Sequence, residues 1–100
     1  KAVHWWKKAA LHGHTDAQMK LSIAYFKGRG VERSFIQSYA WATITASQKI
    51  DGADINKKMV SDLMTKSELK SAKTLARRLW KQAVEPYQKG STVRRHQFKE

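Results

Sequence analysis

The sequence predicts an all-α protein built from stacked helix pairs, and three observations predict it. Apolar residues recur at helical spacing along most of the chain. No stretch alternates apolar and polar residues as a half-buried strand does, and the one proline, Pro86, stands near the C-terminal end. The sequence also partly matches itself under a shift of 36 residues, a period of helix-pair repeats.

The elements follow in order. Residues 2–12 set Ala2, Trp5, Trp6, Ala9 and Ala10 on one side of a helix, and Gly13 offers a left-handed exit. Thr15 or Asp16 is the expected cap of a second helix with Ala17, Leu21, Ala24 and Tyr25 on one face, ending at Gly28. The run Gly28-Arg29-Gly30-Val31-Glu32-Arg33 reads as a tight turn, so Gly28 or Gly30 should have positive φ. Ser34, with Gln37 three residues on, caps a third helix carrying Ile36, Ala40, Trp41 and Ile44. Asp51 and Gly52 punctuate before a fourth helix over 53–64, whose core face is expected to be Ile55, Met59, Val60 and Leu63. Thr65 and Glu68 form a capping box for a fifth helix. Its buried stripe is Leu69, Ala72, Leu75, Ala76, Leu79, Trp80 and Ala83, and Pro86 is expected to stop it. Residues 1–84 are thus expected to form the domain. Residues 85–100 are expected to form a basic tail that frays, with only Val93 and Phe98 able to dock.

The 36-residue shift places Trp5 on Trp41, Ala10 on Ala46 and Ala17 on Ala53, and Ala2 and Ala9 on the small residues Ser38 and Thr45. Short side chains let two helices approach closely, and a tryptophan beside them fills the remaining gap. Ala10 and Ala46 are therefore expected at helix–helix contacts.

These residues resemble the Sel1-like repeat family, a relative of the tetratricopeptide repeats, over roughly residues 2–84. The resemblance is carried by Trp5-Trp6-Lys7-Lys8-Ala9-Ala10 with Gly13, by Ala17-Gln18 with Leu21 and Tyr25, and by Gly28, Gly30 and Val31. A second copy keeps Ala40 and Trp41, but Lys49 stands where the family has glycine. Met64 through Ala76 looks like the helix that closes such arrays in bacterial members. The resemblance implies a right-handed α-solenoid of about two repeats with a C-terminal capping helix. It also implies an adaptor role in protein complexes, often at the bacterial envelope.

Composition bounds the function. With 41% hydrophobic residues the chain can build a core, and without cysteines it has neither disulfides nor thiolate metal sites. No run approaches the roughly 20 apolar residues of a membrane span. The chain opens on Lys1, already inside an amphipathic pattern, and reads as the C-terminal part of a longer protein. The net charge of +12 is shared evenly: eight Lys/Arg against two Asp/Glu in residues 1–50, twelve against six in 51–100. Such a field favours anionic surfaces, whether an acidic protein, nucleic acid or lipid.

No catalytic, cofactor-binding or metal-binding residue is expected. His12, His14 and Asp16 straddle a helix end rather than pairing at i, i+4, and His4 and His96 stand apart. Ser67-Glu68-Leu69-Lys70 matches the S-x-x-K motif of penicillin-recognising enzymes, but S-D-N and K-T-G are missing. Gly28-Arg29-Gly30 follows a helix, not the strand of a phosphate-binding loop. Asp51 and Asp54 read as helix-start residues rather than an acid/base pair.

Two surfaces remain as partner-binding candidates. Lys66, Lys70, Lys73, Arg77 and Lys81 recur every three or four residues, on one line away from the Leu69/Ala72/Leu79 stripe, and Arg78, Arg94 and Arg95 can extend it. Tyr25, Phe26, Phe35 and Tyr39 either enter the core or line a concave groove. The four tryptophans are read as core, with Trp6 the least secure, because its counterpart is Ala42. The expected partner is a protein or peptide, acidic in character; the alternative is nucleic acid or another polyanion.

Overall fold

A computed structural model describes residues 2–88, 97 and 98. Six helices occur among them, in the order α1 (Ala2–Leu11), α2 (Thr15–Lys27), α3 (Phe35–Ser47), α4 (Ala53–Ser61), α5 (Lys66–Ala83) and the short α6 (Glu85–Gln88). The described residues contain no strand.

The helix ends show why the chain breaks where it does. After α1, the His14 N–H bonds the Ala9 carbonyl at 3.1 Å and the Gly13 N–H bonds Ala10 at 3.2 Å, with Gly13 at φ 90°. That is a Schellman ending, which closes the last turn through a left-handed residue. The ending of α3 repeats it 36 residues later. The Ile50 N–H bonds the Thr45 carbonyl at 3.1 Å, the Lys49 N–H bonds Ala46 at 3.0 Å, and Lys49 stands at φ 63°. A lysine thus occupies the place that glycine takes in the first copy. Gly28 and Gly30 both take positive φ, 71° and 76°, as the short turn between α2 and α3 requires.

At the start of α4, Gly52 at φ 84° stands at the N-cap and Asp54 lies in the first turn, as expected of punctuation and a helix-start residue. Two local expectations change. His14 caps α2 without a side-chain bond, so neither Thr15 nor Asp16 fills that role. Pro86 does not end α5; Val84 leaves helical geometry at φ −124°, and Pro86 sits inside α6, early enough that its missing N–H costs nothing. Elsewhere the chemistry is as expected. The Ser34 hydroxyl accepts from the Gln37 N–H, and both bonds of the Thr65/Glu68 box form.

The core gathers around α3, which packs against α2, α4 and α5. Being enclosed, α3 buries nine of its residues, Thr43 and Thr45 among them. Their hydroxyls stay satisfied by bonding back to the carbonyls of Tyr39 (2.8 Å) and of Trp41 (3.1 Å). Where α2 crosses α3, Ser22 and Ser38 exchange bonds, each hydroxyl donating to the other's carbonyl at 2.9 and 2.7 Å. Only side chains this short allow that approach. Gln18, fully buried, ties three elements. Its amide donates to the Ala10 carbonyl at 3.0 Å and toward that of Ala83 at 3.5 Å, and its oxygen accepts from Gln48 at 2.8 Å.

The two copies of the repeat are unequal in burial. Ala10 is fully buried, as a close helix–helix contact requires, whereas Ala46 is half-buried. Trp41 is 4% exposed and Trp5 is 71% exposed. The expectation of a core Trp5 is corrected. It is Trp6, the doubtful one, that packs against the core. The cause is company: α1 packs chiefly against α2 and α5, and nothing described covers its Trp5 side.

The fourth helix keeps Val60 in the core as expected, but turns the rest of the expected face outward. Ala53 and Val60 are its buried residues, while Ile55, Met59 and Leu63 are exposed. Polar residues share the inward line: Asn56 Nδ2 donates to Met19 Sδ at 3.3 Å, and Lys57 Nζ lies 5.9 Å from the Tyr39 ring centre. At the C-terminal end, the Tyr87 ring lies against Gly13 and the Phe98 ring is 5.5 Å from Trp80. Phe98 therefore docks, as does Tyr87, while Val93 lies outside the described residues.

Candidate partner-binding surfaces

The basic line takes its position from how α5 is held. The capping box fixes its start, and Ala72, Ala76, Leu79, Trp80 and Ala83 are buried on one side. Lys66, Lys70, Arg77 and Lys81 are exposed on the other, and Lys73 is half-buried. Arg77 reaches back along the helix, its Nη2 donating to Thr74 Oγ1 at 3.5 Å. Arg78 is exposed as well, while Arg94 and Arg95 lie outside the described residues.

The aromatic candidates divide. Tyr39 is 5% exposed and belongs to the core, so it offers no groove surface. Around it, Val60 and Ala72 form a small cluster, and Phe26, Phe35 and Leu69 pack against it half-buried. The Phe26 and Phe35 rings are 5.8 Å apart, and the Arg33 guanidinium stands 5.3 Å over Phe35. Leu69 and Ala72 belong to α5, so this aromatic pair borders the first half of the helix that carries the basic line. Tyr25 lies elsewhere, half-buried against the main core and lining a gap of about 240 Å³ with Leu11, Leu21 and Trp41.

Two apolar features escaped sequence reasoning. One is the Ile55/Met59/Leu63 line of α4, whose four-residue spacing looked like a core face. The other is an open groove of about 360 Å³ between α1 and α2, lined by Val3, Trp6, Ile23 and Ala24 and rimmed by Lys20, Lys27 and Arg29. Lys20 Nζ stands 5.9 Å from the Trp6 ring centre. No sequence motif marks either.

The residues weighed for chemistry do not converge. His12 Nδ1 donates to the Lys8 carbonyl at 2.8 Å, and no group of three potential metal ligands occurs among the described residues. Ser67 is exposed in the first turn of α5. No helix among the described residues is long and apolar enough to cross a membrane.

Comparison with known proteins agrees with this geometry. The Sel1 repeat model matches residues 1–14 and 15–49. The chain is similar in structure to a protective antigen of uropathogenic Escherichia coli strains that displays an SLR fold, with a TM-score of 0.78 at 23% identity. The match covers 98% of this chain and 22% of that one, so the chain spans about a fifth of the antigen's length. Among curated proteins none matches.

Proposed function

This chain belongs to the Sel1 repeat family, and we propose that it works as a non-catalytic adaptor holding an acidic protein or peptide partner on its helical-repeat surface. Sel1 repeats are in general protein-interaction modules; the acidic partner and its landing place are our reading. The observation that carries it is the α5 face, where Lys66, Lys70, Arg77 and Lys81 stand exposed on a helix locked into the core from behind. Like charges at i, i+4 repel by a few tenths of a kcal/mol per pair, so this spacing does not by itself favour α5. An acidic partner would relieve that repulsion. The adjoining Phe26/Phe35 pair supplies apolar contact of the kind that anchors a protein partner.

A second reading, electrostatic binding of nucleic acid, is favoured by the net charge of +12 spread over both halves of the chain. The two separate in one experiment. The immobilised protein is challenged with nuclease-treated bacterial lysate and, in parallel, with labelled duplex DNA across a salt series. The adaptor reading expects a protein retained after nuclease treatment and released by the Lys70→Glu/Arg77→Glu variant. Retention that requires intact nucleic acid, with steep loss on added salt, would transfer the proposal to the second reading.

A further inference from the structure

The form of the partner at the α5 face follows from what that face offers and what it withholds. It offers charge at a fixed rise. At 1.5 Å per residue, Lys70, Lys73, Arg77 and Lys81 stand about 6, 10.5, 16.5 and 22.5 Å along the helix axis from Lys66. The one acid of α5 is Glu68, and its carboxylate is turned back on the helix start, where it accepts from the Thr65 N–H at 2.9 Å. No carboxylate of α5 therefore interrupts the line.

The face withholds backbone partners. The main chain of α5 is engaged in its own helix, and the described residues contain no strand whose edge could pair with an extended segment. An extended peptide laid here would find no main-chain bonds to offset its ordering. A helix arrives with its backbone bonds already made.

Spacing gives the same answer. Two helices share one rise per residue, so carboxylates at i, i+4, i+7 and i+11 of a second helix recur at the intervals of the cations. At a shallow crossing of about 20° the long lysine and arginine stems can take up the divergence. In an extended segment, residues on one face recur about every 6.8 Å, a period that the 4-3-4-4 spacing does not keep. One end of the line also borders apolar surface. Leu69 is half-buried beside Lys70, and it packs on the same small cluster as Phe26 and Phe35, whose rings are 5.8 Å apart.

We propose that the segment docking on α5 is itself an acidic α-helix lying alongside it, with carboxylates at i, i+4, i+7 and i+11 facing the cations. A large apolar side chain at one end of that helix meets Phe26, Phe35 and Leu69. The inference rests on the adaptor reading and names the form of its partner.

The test uses labelled synthetic peptides of 18 residues in fluorescence anisotropy, across a salt series. The first carries four glutamates in the 4-3-4 stripe and a terminal leucine on an alanine and glutamine background. The second has the same composition with the glutamates scattered around the helix. The third is the first with two central alanines replaced by proline, and the fourth has serine for the leucine. Labelled duplex DNA is the fifth probe. The striped peptide should bind at least tenfold more tightly than the scattered and proline peptides, and Lys70→Glu/Arg77→Glu should abolish the difference. Circular dichroism of its mixture with the protein should show more helix than the sum of the parts. The serine peptide should bind more weakly, and equal binding would overturn the placement of the apolar end. Equal binding of striped, scattered and proline peptides, lost in Lys70→Glu/Arg77→Glu, would overturn the helical form and leave the adaptor reading standing. Failure of every acidic peptide to bind, with or without retention of the duplex, would overturn both.

Discussion

Replacing Lys49 by glycine should stabilise this protein, and the size of the gain follows from the ending of α3. Lys49 is exposed at φ 63°, in a Schellman motif that matches the one at Gly13 bond for bond. A side chain in the left-handed region costs roughly 1–2 kcal/mol, because Cβ crowds the following carbonyl. Glycine removes that strain but brings a more flexible unfolded chain, a loss of roughly 0.5–1 kcal/mol. At mid-range the net gain is about 0.75 kcal/mol, or about 3–6 °C in melting temperature for a domain of this size. Removing a cation from a chain of net charge +12 could also help, so Lys49→Ala is the control. It deletes the same charge and keeps the strained conformation. Urea denaturation of the three proteins, with unchanged m-values, reads the effect. If Lys49→Gly is no more stable than Lys49→Ala, the backbone argument is wrong, whatever the charge contributes.

Three other outcomes follow from packing. Gln18→Leu should cost about 2 kcal/mol in the same denaturation assay, since it removes the bonds that the buried Gln18 amide makes to the Ala10 carbonyl and to Gln48. Gly13→Ala should cost about 1–2 kcal/mol, because it forces a side chain to φ 90° and sets Cβ within 2.8 Å of the Tyr87 ring; Tyr87→Ala should recover the steric part only. Trp41→Ala should cost about 3–5 kcal/mol. Trp5→Ala, at the equivalent position, should stay within about 0.5 kcal/mol, and equal losses at the two sites would mean that α1 is covered after all.

What the sequence revealed and what it concealed divide along a physical line. The Thr65/Glu68 box, the Gly28 and Gly30 turn and the misplaced Lys49 were legible because each is settled within a few residues of chain. The same holds for the buried side of α5, whose small and large apolar residues leave no second choice of face. The orientation of α4 was not legible, because Asn56 and Lys57 take the inward line against Met19 and Tyr39, partners supplied by other helices. Periodicity counts apolar residues, so it also passed over Gln18 and Ser22, which are buried as connectors between helices. Trp5 shows the limit most clearly. Its motif is intact, and only the number of neighbouring helices decides whether it is covered. Of the candidate sites, the α5 line could be placed from spacing alone. The bordering Phe26/Phe35 pair required α2 and α3 to be brought together, with α5 packed on α3.

The central claim is that the α5 cations serve a partner rather than the fold, and the Lys70→Glu/Arg77→Glu variant tests it most directly. Its stability and its association with the retained protein are measured on the same sample across a salt series. Both positions are exposed, so the account predicts stability within about 0.5 kcal/mol of the original protein. It also predicts that association slows and its salt dependence flattens, as expected when steering charges are reversed. Unchanged association at unchanged stability would make the line a solubilising surface only. Outright unfolding would contradict the assigned orientation of the helix itself.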